Sequence, residues 1–415
     1  MIFSSLDLAP EIQQALDACG YSQMTPIQQQ AIIPARRGKD LLANAQTGTG
    51  KTAAFALPIL QQMHDRPKPT VAGCPRALIL SPTRELAEQL AETITRYAQF
   101  LPFTVAALYG GGKTSAQEKK LKAGVDIIIA TPGRLLELRE LNGVNLSEVE
   151  FVVLDEADRM LDMGFIADVE SLLQKIQKKR QTLLFSATLS QGVKELAKKL
   201  LNKHEVVSVA KQNAIADTVE HVVYPVSEHQ KPALFVELID EQNWFKVLVF
   251  TSTKAQADEL MEQLKQAKIS AALCHGDKSQ GSRRRALADF KAAKIQVLIA
   301  TEVAARGLDI QDLEYVVNYN LPYLAEDYVH RIGRTGRAGA KGHAISFVSR
   351  EEERSLANIE RLIGSQIKRI KVPGYEVGSR DTLLKNIKEH RRPPRANKAS
   401  QTKINRHPRD NKKKG

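Results

Sequence analysis

Three short segments carry residues whose types and spacing suit work on a phosphoryl group. The first is AQTGTGKT, Ala45 to Thr52. Gly48 and Gly50 let backbone N–H groups curl around phosphate oxygens, and Gln46, Thr47 and Thr49 complete the loop. Lys51 would neutralise the β and γ phosphates, Thr52 would ligate Mg²⁺, and the helix expected to follow would direct its positive end at the anion. The usual first glycine of such a loop is Ala45 here, so the strict pattern is broken at that position. The second segment is FVVLDEAD, in which Asp155, Glu156 and Asp158 close an apolar run. Acids in that place need partners: Asp155 suits a bound Mg²⁺, Glu156 an attacking water, and Asp158 a bond to a neighbouring loop. The third is HRIGRTGR, with His330 and three arginines within eight residues. A basic run is usually a solvated surface, but beside a phosphate loop it reads as a source of guanidinium groups for the transferring γ-phosphate.

Positioning these groups requires strands that end where they begin. From Lys39 to about Lys203 the apolar runs DLLANA, ALILSP, VDIIIATP, FVVLDEAD and TLLFSAT alternate with longer helix-like segments. That alternation predicts a parallel α/β sheet buried on both faces, with ligands at the carboxyl ends of its strands. After a polar stretch around Lys203 to Thr218 the pattern restarts with VLVFTST, ISAALCHG, IQVLIATE, YVVNYNLP and HAISFVS. This second α/β unit contains no Gly-rich phosphate loop of its own, so one nucleotide shared between the two units is expected. The reading divides the chain into 1–205, a linker 206–217, a second domain 218–366 and a basic extension 367–415, disordered from about 388.

Charge sets the extension apart. The net charge is +13, and from Arg380 onward 13 lysines and arginines stand against 3 acids, which places +10 in the tail. Its apolar residues nearly vanish, so it cannot bury enough surface to offset chain entropy, and a flexible polycation that adds affinity for nucleic acid is expected. The body carries little net charge, so a nucleic-acid site there must rest on placed contacts. Cys19, Cys74 and Cys274 are far apart and are expected as buried free thiols, with no zinc or redox spacing. No run approaches the roughly 18 apolar residues of a membrane span, and no basic leader with a long apolar stretch opens the chain. A cytoplasmic protein without membrane contact is expected. Trp244, the single tryptophan, reads as a packing residue.

Further segments carry a resemblance over roughly Phe3 to Glu376: GYSQMTPIQ with Phe3 upstream, PTRELA, TPGR, SAT, QGSR and ARGLD, in that order around the three above. The chain resembles the DEAD-box RNA helicases, and RMLDMGF, HGDKSQGSRRRALADF and IKRIKVPGYE look most like the bacterial RhlE group. The resemblance implies two RecA-like domains. It implies that Gln28 reads the adenine edge while Phe3 and Tyr21 pack near the base, so that ATP is preferred over GTP. By similarity Asp309 contacts the ribose, and Arg334 and Arg337 are arginine fingers. Ser186 and Thr188 would link hydrolysis to strand separation by bonding toward Asp158 and His330. The RNA contacts implied are Pro82, Thr83, Arg84, Gly110, Gly111, Thr131 and Arg134 on the first domain, with Arg283 and Thr301 on the second. Small and hydroxyl residues of this kind suit backbone and sugar contacts that do not read bases. Two departures stand out: Glu302 follows Thr301 where the family often has Asp, and Met24 stands where Pro is usual.

The activity so implied is RNA-stimulated ATP hydrolysis coupled to domain closure and local, non-processive unwinding of short RNA duplexes. Ribosomal particles and RNA-decay proteins are the partners it suggests. A DNA helicase on the same plan and a non-enzymatic RNA clamp are the rivals; the second would tolerate loss of Lys51, Thr52, Asp155, Glu156, Arg334 and Arg337, all of which are present.

Overall fold

The computed structural model describes residues 1–375 apart from 47, 113, 142, 210–218, 306–309, 311–312 and 337–341. Thr47, Asp309, Arg337, most of the expected linker and the tail from 376 onward lie outside the described residues. The first sheet comprises β1 (Leu41–Asn44), β2 (Ala77–Leu80), β3 (Val105–Leu108), β4 (Ile127–Ala130), β5 (Phe151–Leu154), β6 (Gln181–Ser186) and β7 (Glu205–Ser208), in the order β3-β4-β2-β5-β6-β1-β7. The second comprises β8 (Val219–Pro225), β9 (Val247–Thr251), β10 (Ala271–Cys274), β11 (Val297–Thr301), β12 (Tyr315–Asn318), β13 (Gly342–Val348) and β14 (Lys368–Arg369), in the order β10-β11-β9-β12-β13-β8-β14. All described pairings within the two sheets are parallel. Counted from its own first strand, each sheet has the same order, so one topology occurs twice. Helices cover both faces, as parallel strands require.

The runs that read as strands from sequence are β1, β2, β4, β5, β6 and β9 to β13. The strands not foreseen are β3, β7, β8 and β14. Edge strands β7 and β14 are largely exposed and β8 is broken by Glu220 and His221, so none of these three forms a continuous apolar run. Strand β3 is apolar (VAAL) but only four residues long, at the sheet edge with alternate residues half-exposed. Because β7 pairs with β1, the first sheet takes in Glu205–Ser208, which the sequence reading gave to a polar connection. Ile370, Val372 and Tyr375 pack on the second core, and the Tyr375 hydroxyl donates to Glu237 at 2.6 Å, so the start of the basic extension is part of the fold.

Each sheet's first strand leads into a helix that opens on a buried lysine. Lys51 begins helix Lys51–Asp65 after β1, and Lys231 begins helix Lys231–Glu241 after β8. Lys231 Nζ lies 2.7 Å from both Glu228 and Glu352, so protein carboxylates hold it where a phosphate-binding lysine would hold an anion. This agrees with the missing phosphate loop in the second half.

Trp244 is buried, stacks on Tyr315 at 5.3 Å and donates its indole N–H to Gln242 Oε1 at 3.0 Å. Trp244→Ala should therefore destabilise the chain by about 3–5 kcal/mol, the cost of emptying a large aromatic site. Denaturant unfolding checks this; a loss below about 1 kcal/mol would mean that the site collapses around the gap. Of the three thiols only Cys274 is fully buried, while Cys19 and Cys74 are partly exposed, which corrects the expectation for those two. Among the described residues no helix is long and apolar enough to cross a membrane.

Candidate active site and nucleic-acid interface

The loop after β1 turns through two left-handed glycines, Gly48 (φ 82°) and Gly50 (φ 92°). Thr49 Oγ1 donates to Gln46 O at 2.7 Å and closes the turn. A side chain at Gly50 would put its Cβ 2.4 Å from Gln28 Nε2, so glycine is required there on two counts. Lys51 is 6% exposed, and its Nζ lies 3.4 Å from Asp155 Oδ1 without a hydrogen bond to any described atom. A buried ammonium with donor capacity left over, at a helix N-terminus ringed by small residues, fits a phosphate. Burial on its own would lower the Lys51 pKa; Asp155, Glu156 and Asp158 outweigh it and hold the group above its usual value. Burial raises the Asp155 pKa, Lys51 opposes the rise and Glu156 adds to it. Crowded acids beside one lysine make a site to which a divalent cation would bring needed positive charge, although among the described residues no cluster of three or more His, Cys, Asp or Glu groups is placed to hold one.

The acids follow β5. Asp155 Oδ1 accepts from the Glu156 N–H at 3.0 Å. Glu156 itself adopts φ 54°, ψ 53°, a left-handed conformation that costs a non-glycine residue on the order of 1 kcal/mol and that turns its side chain off the strand line. Asp158 Oδ2 accepts from the backbone N–H groups of Ala187 (3.1 Å) and Thr188 (3.0 Å), the loop after β6. The Ser186 hydroxyl turns inward and donates to Thr188 O at 2.7 Å. Acid and loop are thus joined, through backbone amides and not through the two hydroxyls.

Gln28 is 3% exposed and closes a capping box: its Oε1 accepts from Thr25 N at 2.8 Å and its Nε2 donates to Gly50 O at 3.1 Å. The amide therefore ties the helix Pro26–Arg36 to the phosphate loop. Phe3 is core, stacked 6.1 Å from Tyr21, whereas Tyr21 keeps an exposed edge.

The expected RNA contacts lie at the carboxyl ends of β2, β3 and β4 on the first sheet. Thr83 caps helix Arg84–Tyr97 by accepting from Leu86 N at 3.3 Å, and Pro82 precedes it. Arg84 lies over Gly110 and Gly111; a Cβ on Gly111 would meet its guanidinium at 2.1 Å. Thr131 begins helix Pro132–Glu140, and Arg134 within it pairs with Glu137 at 2.9 Å. On the second sheet Thr301 ends β11, and Arg283 lies in helix Gln280–Lys291. Arg283 is held across the cleft by Glu85 at 2.7 Å. His330 lies in helix Ala325–Ile332, and Arg334, 8% exposed, follows it.

Sequence reasoning missed the groups that join the two halves: Glu85 with Arg283, Glu88 and Tyr109 with Arg284, and Arg159 with Asp327 and Glu302. The signal was present in part, since the acidic helix RELAEQLAE and the basic helix QGSRRRALADFK have complementary charge. Which residues would meet depends on the two sheets' relative placement, which no local pattern encodes.

Comparison with known proteins agrees with this geometry. Residues 25–196 match the DEAD/DEAH box helicase family and residues 230–339 the helicase conserved C-terminal domain. The chain is 42% identical over 370 residues to the ATP-dependent RNA helicase RhlB of Pseudomonas syringae pv. tomato, covering 88% of this chain and 93% of that protein. It is 40% identical over 371 residues to the DEAD-box ATP-dependent RNA helicase CshA of Bacillus cereus, covering 89% of this chain and 70% of that one. In structure it matches Saccharomyces cerevisiae Dbp5 bound to RNA and ADP BeF3, with a TM-score of 0.80, 31% identity, and coverage of 94% of this chain and 99% of that one. Mss116p bound to ssRNA and AMP-PNP also gives a TM-score of 0.80, at 29% identity, covering 94% of this chain and 82% of that one. A phosphate loop, an acid-ended strand and a two-sheet architecture that align with such relatives over nearly the whole chain place this protein in the DEAD-box family of helicases.

Proposed function

We propose that this helicase hydrolyses ATP in a cleft shared by its two domains, under RNA stimulation, and uses closure of the cleft to separate short RNA duplexes locally and without processive travel. The observation that carries the reading is the juxtaposition of the buried Lys51–Asp155 pair, 3.4 Å apart, with the second domain's helix Ala325–Ile332, reached from the first domain by Arg159 at 2.7 Å. The phosphate loop, from Gln46 to Thr52, binds the triphosphate, and Gln28, Phe3, Tyr21 and Asp309 hold the nucleoside. Glu156 takes a proton from the attacking water, while Arg334 and Arg337 stabilise charge on the γ-phosphate. Mg²⁺, held by Thr52 and Asp155, would supply further charge neutralisation.

Backbone contacts from Pro82, Thr83, Arg84, Gly110, Gly111, Thr131, Arg134, Arg283 and Thr301 grip one RNA strand. A strand bent by closure no longer fits its duplex partner, and hydrolysis reopens the cleft through Asp158, Ser186, Thr188 and His330. The working units are the domain of the first sheet, which runs to Ser208, and that of the second, which runs from Val219 to Tyr375, with the rest of the basic extension tethering RNA near them by charge. The RhlE-like grouping and ribosomal particles or RNA-decay proteins as partners belong to the same proposal on motif resemblance alone, and a cytoplasmic location belongs to it on the sequence pattern described above.

Matched RNA and DNA duplexes test it. ATP turnover should rise with RNA and strand separation should require RNA in at least the gripped strand, because the 2′-hydroxyl distinguishes the two. Equal unwinding of the DNA duplex would make this a DNA helicase, and turnover indifferent to nucleic acid would remove the coupling altogether.

A further inference from the structure

The acid run Asp155 to Asp158 continues directly into Arg159, which is 4% exposed yet has no part in the chemistry above. Its backbone N–H donates to Asp158 Oδ1 at 3.1 Å. Its guanidinium crosses the cleft, where Nη1 donates to Asp327 Oδ1 at 2.7 Å and lies 3.6 Å from Glu302 Oε1. Glu302 follows β11, and Asp327 stands in the first turn of helix Ala325–Ile332, ahead of His330 and Arg334. The network continues inside the second domain. Arg331 Nε donates to the other Glu302 oxygen at 2.6 Å, and its Nη1 donates to Asn318 Oδ1 at 3.1 Å and to Asn320 O at 2.7 Å. Glu302 is therefore shared between one arginine of each domain.

We infer that Arg159 is a positioning residue for hydrolysis: by clamping Asp327 and Glu302 it fixes the helix bearing His330, and with it Arg334, against Asp155 and Glu156. This rests on the shared-site reading. An arginine stays charged at any working pH, so burying it in the closed cleft demands carboxylates in fixed places. Among the described residues its guanidinium forms ion pairs with two, on the second domain's helix and strand end, while Glu156 and Asp158 of its own domain add to the field. Removing one partner of such a pair leaves the other charge buried and alone, which penalises the closed state specifically. Nothing comparable is lost when the cleft is open and these groups face water. A single nitrogen, Nη1, faces both carboxylates, 2.7 Å from Asp327 and 3.6 Å from Glu302, so the ammonium of a lysine could keep part of the attraction. Glu302 stands where the resembling family often has Asp; its extra methylene lets one side chain bridge Arg331 and Arg159.

The full-length variants Arg159→Met, Asp327→Asn and the double variant test the clamp, with Arg159→Lys as the conservative change. Three quantities are read: RNA-stimulated kcat, the KM for ATP, and the affinity for a fluorescent ADP analogue without RNA. Each single change should lower RNA-stimulated kcat by about 10- to 100-fold, in line with coupling across close interfacial charge pairs. RNA-free nucleotide affinity should stay within about twofold, because that site lies in the first domain. The double variant should be no worse than the more damaging single one, and Arg159→Lys should recover part of the loss. Wild-type kcat in Arg159→Met, additive losses in the double variant, or loss of RNA-free nucleotide binding would each overturn the inference. The Asp327→Asn variant approaches from the other domain, so misfolding of one variant does not decide the matter. If Arg159→Met is fully active while Glu156→Gln is dead, the clamp falls and the shared site stands. If the wild type shows no RNA-stimulated hydrolysis, both fall.

Discussion

Arg334→Ala is expected to reduce RNA-stimulated ATP turnover by about 10³-fold or more, the scale of a lost arginine finger. Arg334 belongs to the second domain, while Lys51 and its glycine loop belong to the first, so the variant separates binding from hydrolysis. It is only 8% exposed, and its backbone helps build the turn after helix Ala325–Ile332, donating its N–H to Arg331 O at 3.2 Å and accepting from Leu313 N at 3.1 Å. These backbone bonds survive the substitution, so the turn should persist and the loss should be confined to the side chain. The measurement is steady-state ATP hydrolysis at saturating RNA beside RNA-free binding of a fluorescent nucleotide. The expected pattern is a collapsed kcat with unchanged RNA-free affinity. Turnover within about tenfold of wild type would assign the stabilising charge elsewhere. Hydrolysis by residues 1–208 alone, which keep β7 paired with β1, at the full-length rate would end the shared-site reading.

Glu156→Gln should slow hydrolysis by about 10² to 10⁴, the contribution of a positioned general base. Glutamine matches glutamate in shape, so the left-handed turn at φ 54° and the bond from its N–H to Asp155 Oδ1 should be kept, and only the basic oxygen is lost. Because closure would form but hydrolysis would lag, the variant should retain RNA longer in the presence of ATP than the wild type does. Single-turnover hydrolysis and the dissociation rate of a labelled RNA strand read the two effects. Near-normal hydrolysis would move water activation to another group, and faster RNA release would contradict reopening by hydrolysis.

The sequence made the central parallel strands legible because they are buried on both faces and contain little but Ile, Val, Leu and Ala, as in IIIA of β4 and VLIAT of β11. It also located the phosphate loop and the acids, since each lies within a few residues of such a strand. What it concealed was of two kinds. Strands β7 and β8 mix polar with apolar side chains, β7 because it is an edge strand and β8 because Glu220 and His221 interrupt it, so neither gives a clean period. The contacts of Arg159, Arg283 and Arg284 span sequence separations of 168, 198 and 196 residues and depend on how two separately legible sheets face each other. Gln28 shows a subtler limit. Its capping role can be read from the Thr-x-x-Gln spacing, but its bond to Gly50 O joins segments 22 residues apart through the fold alone.

In both sheets the strands that carry chemistry carry it at their carboxyl ends, which leaves the opposite edges for instrumentation. Lys178, in the turn before β6, and Lys294, before β11, are both exposed on those edges. With Cys19 and Cys74 replaced and Cys274 left buried, a single cysteine at each of these two positions would carry a fluorophore pair clear of nucleotide and RNA alike. Energy transfer between them would then convert the relative placement of the two sheets into a signal, so that the lifetime of each closed encounter could be timed on single molecules without disturbing the groups that produce it.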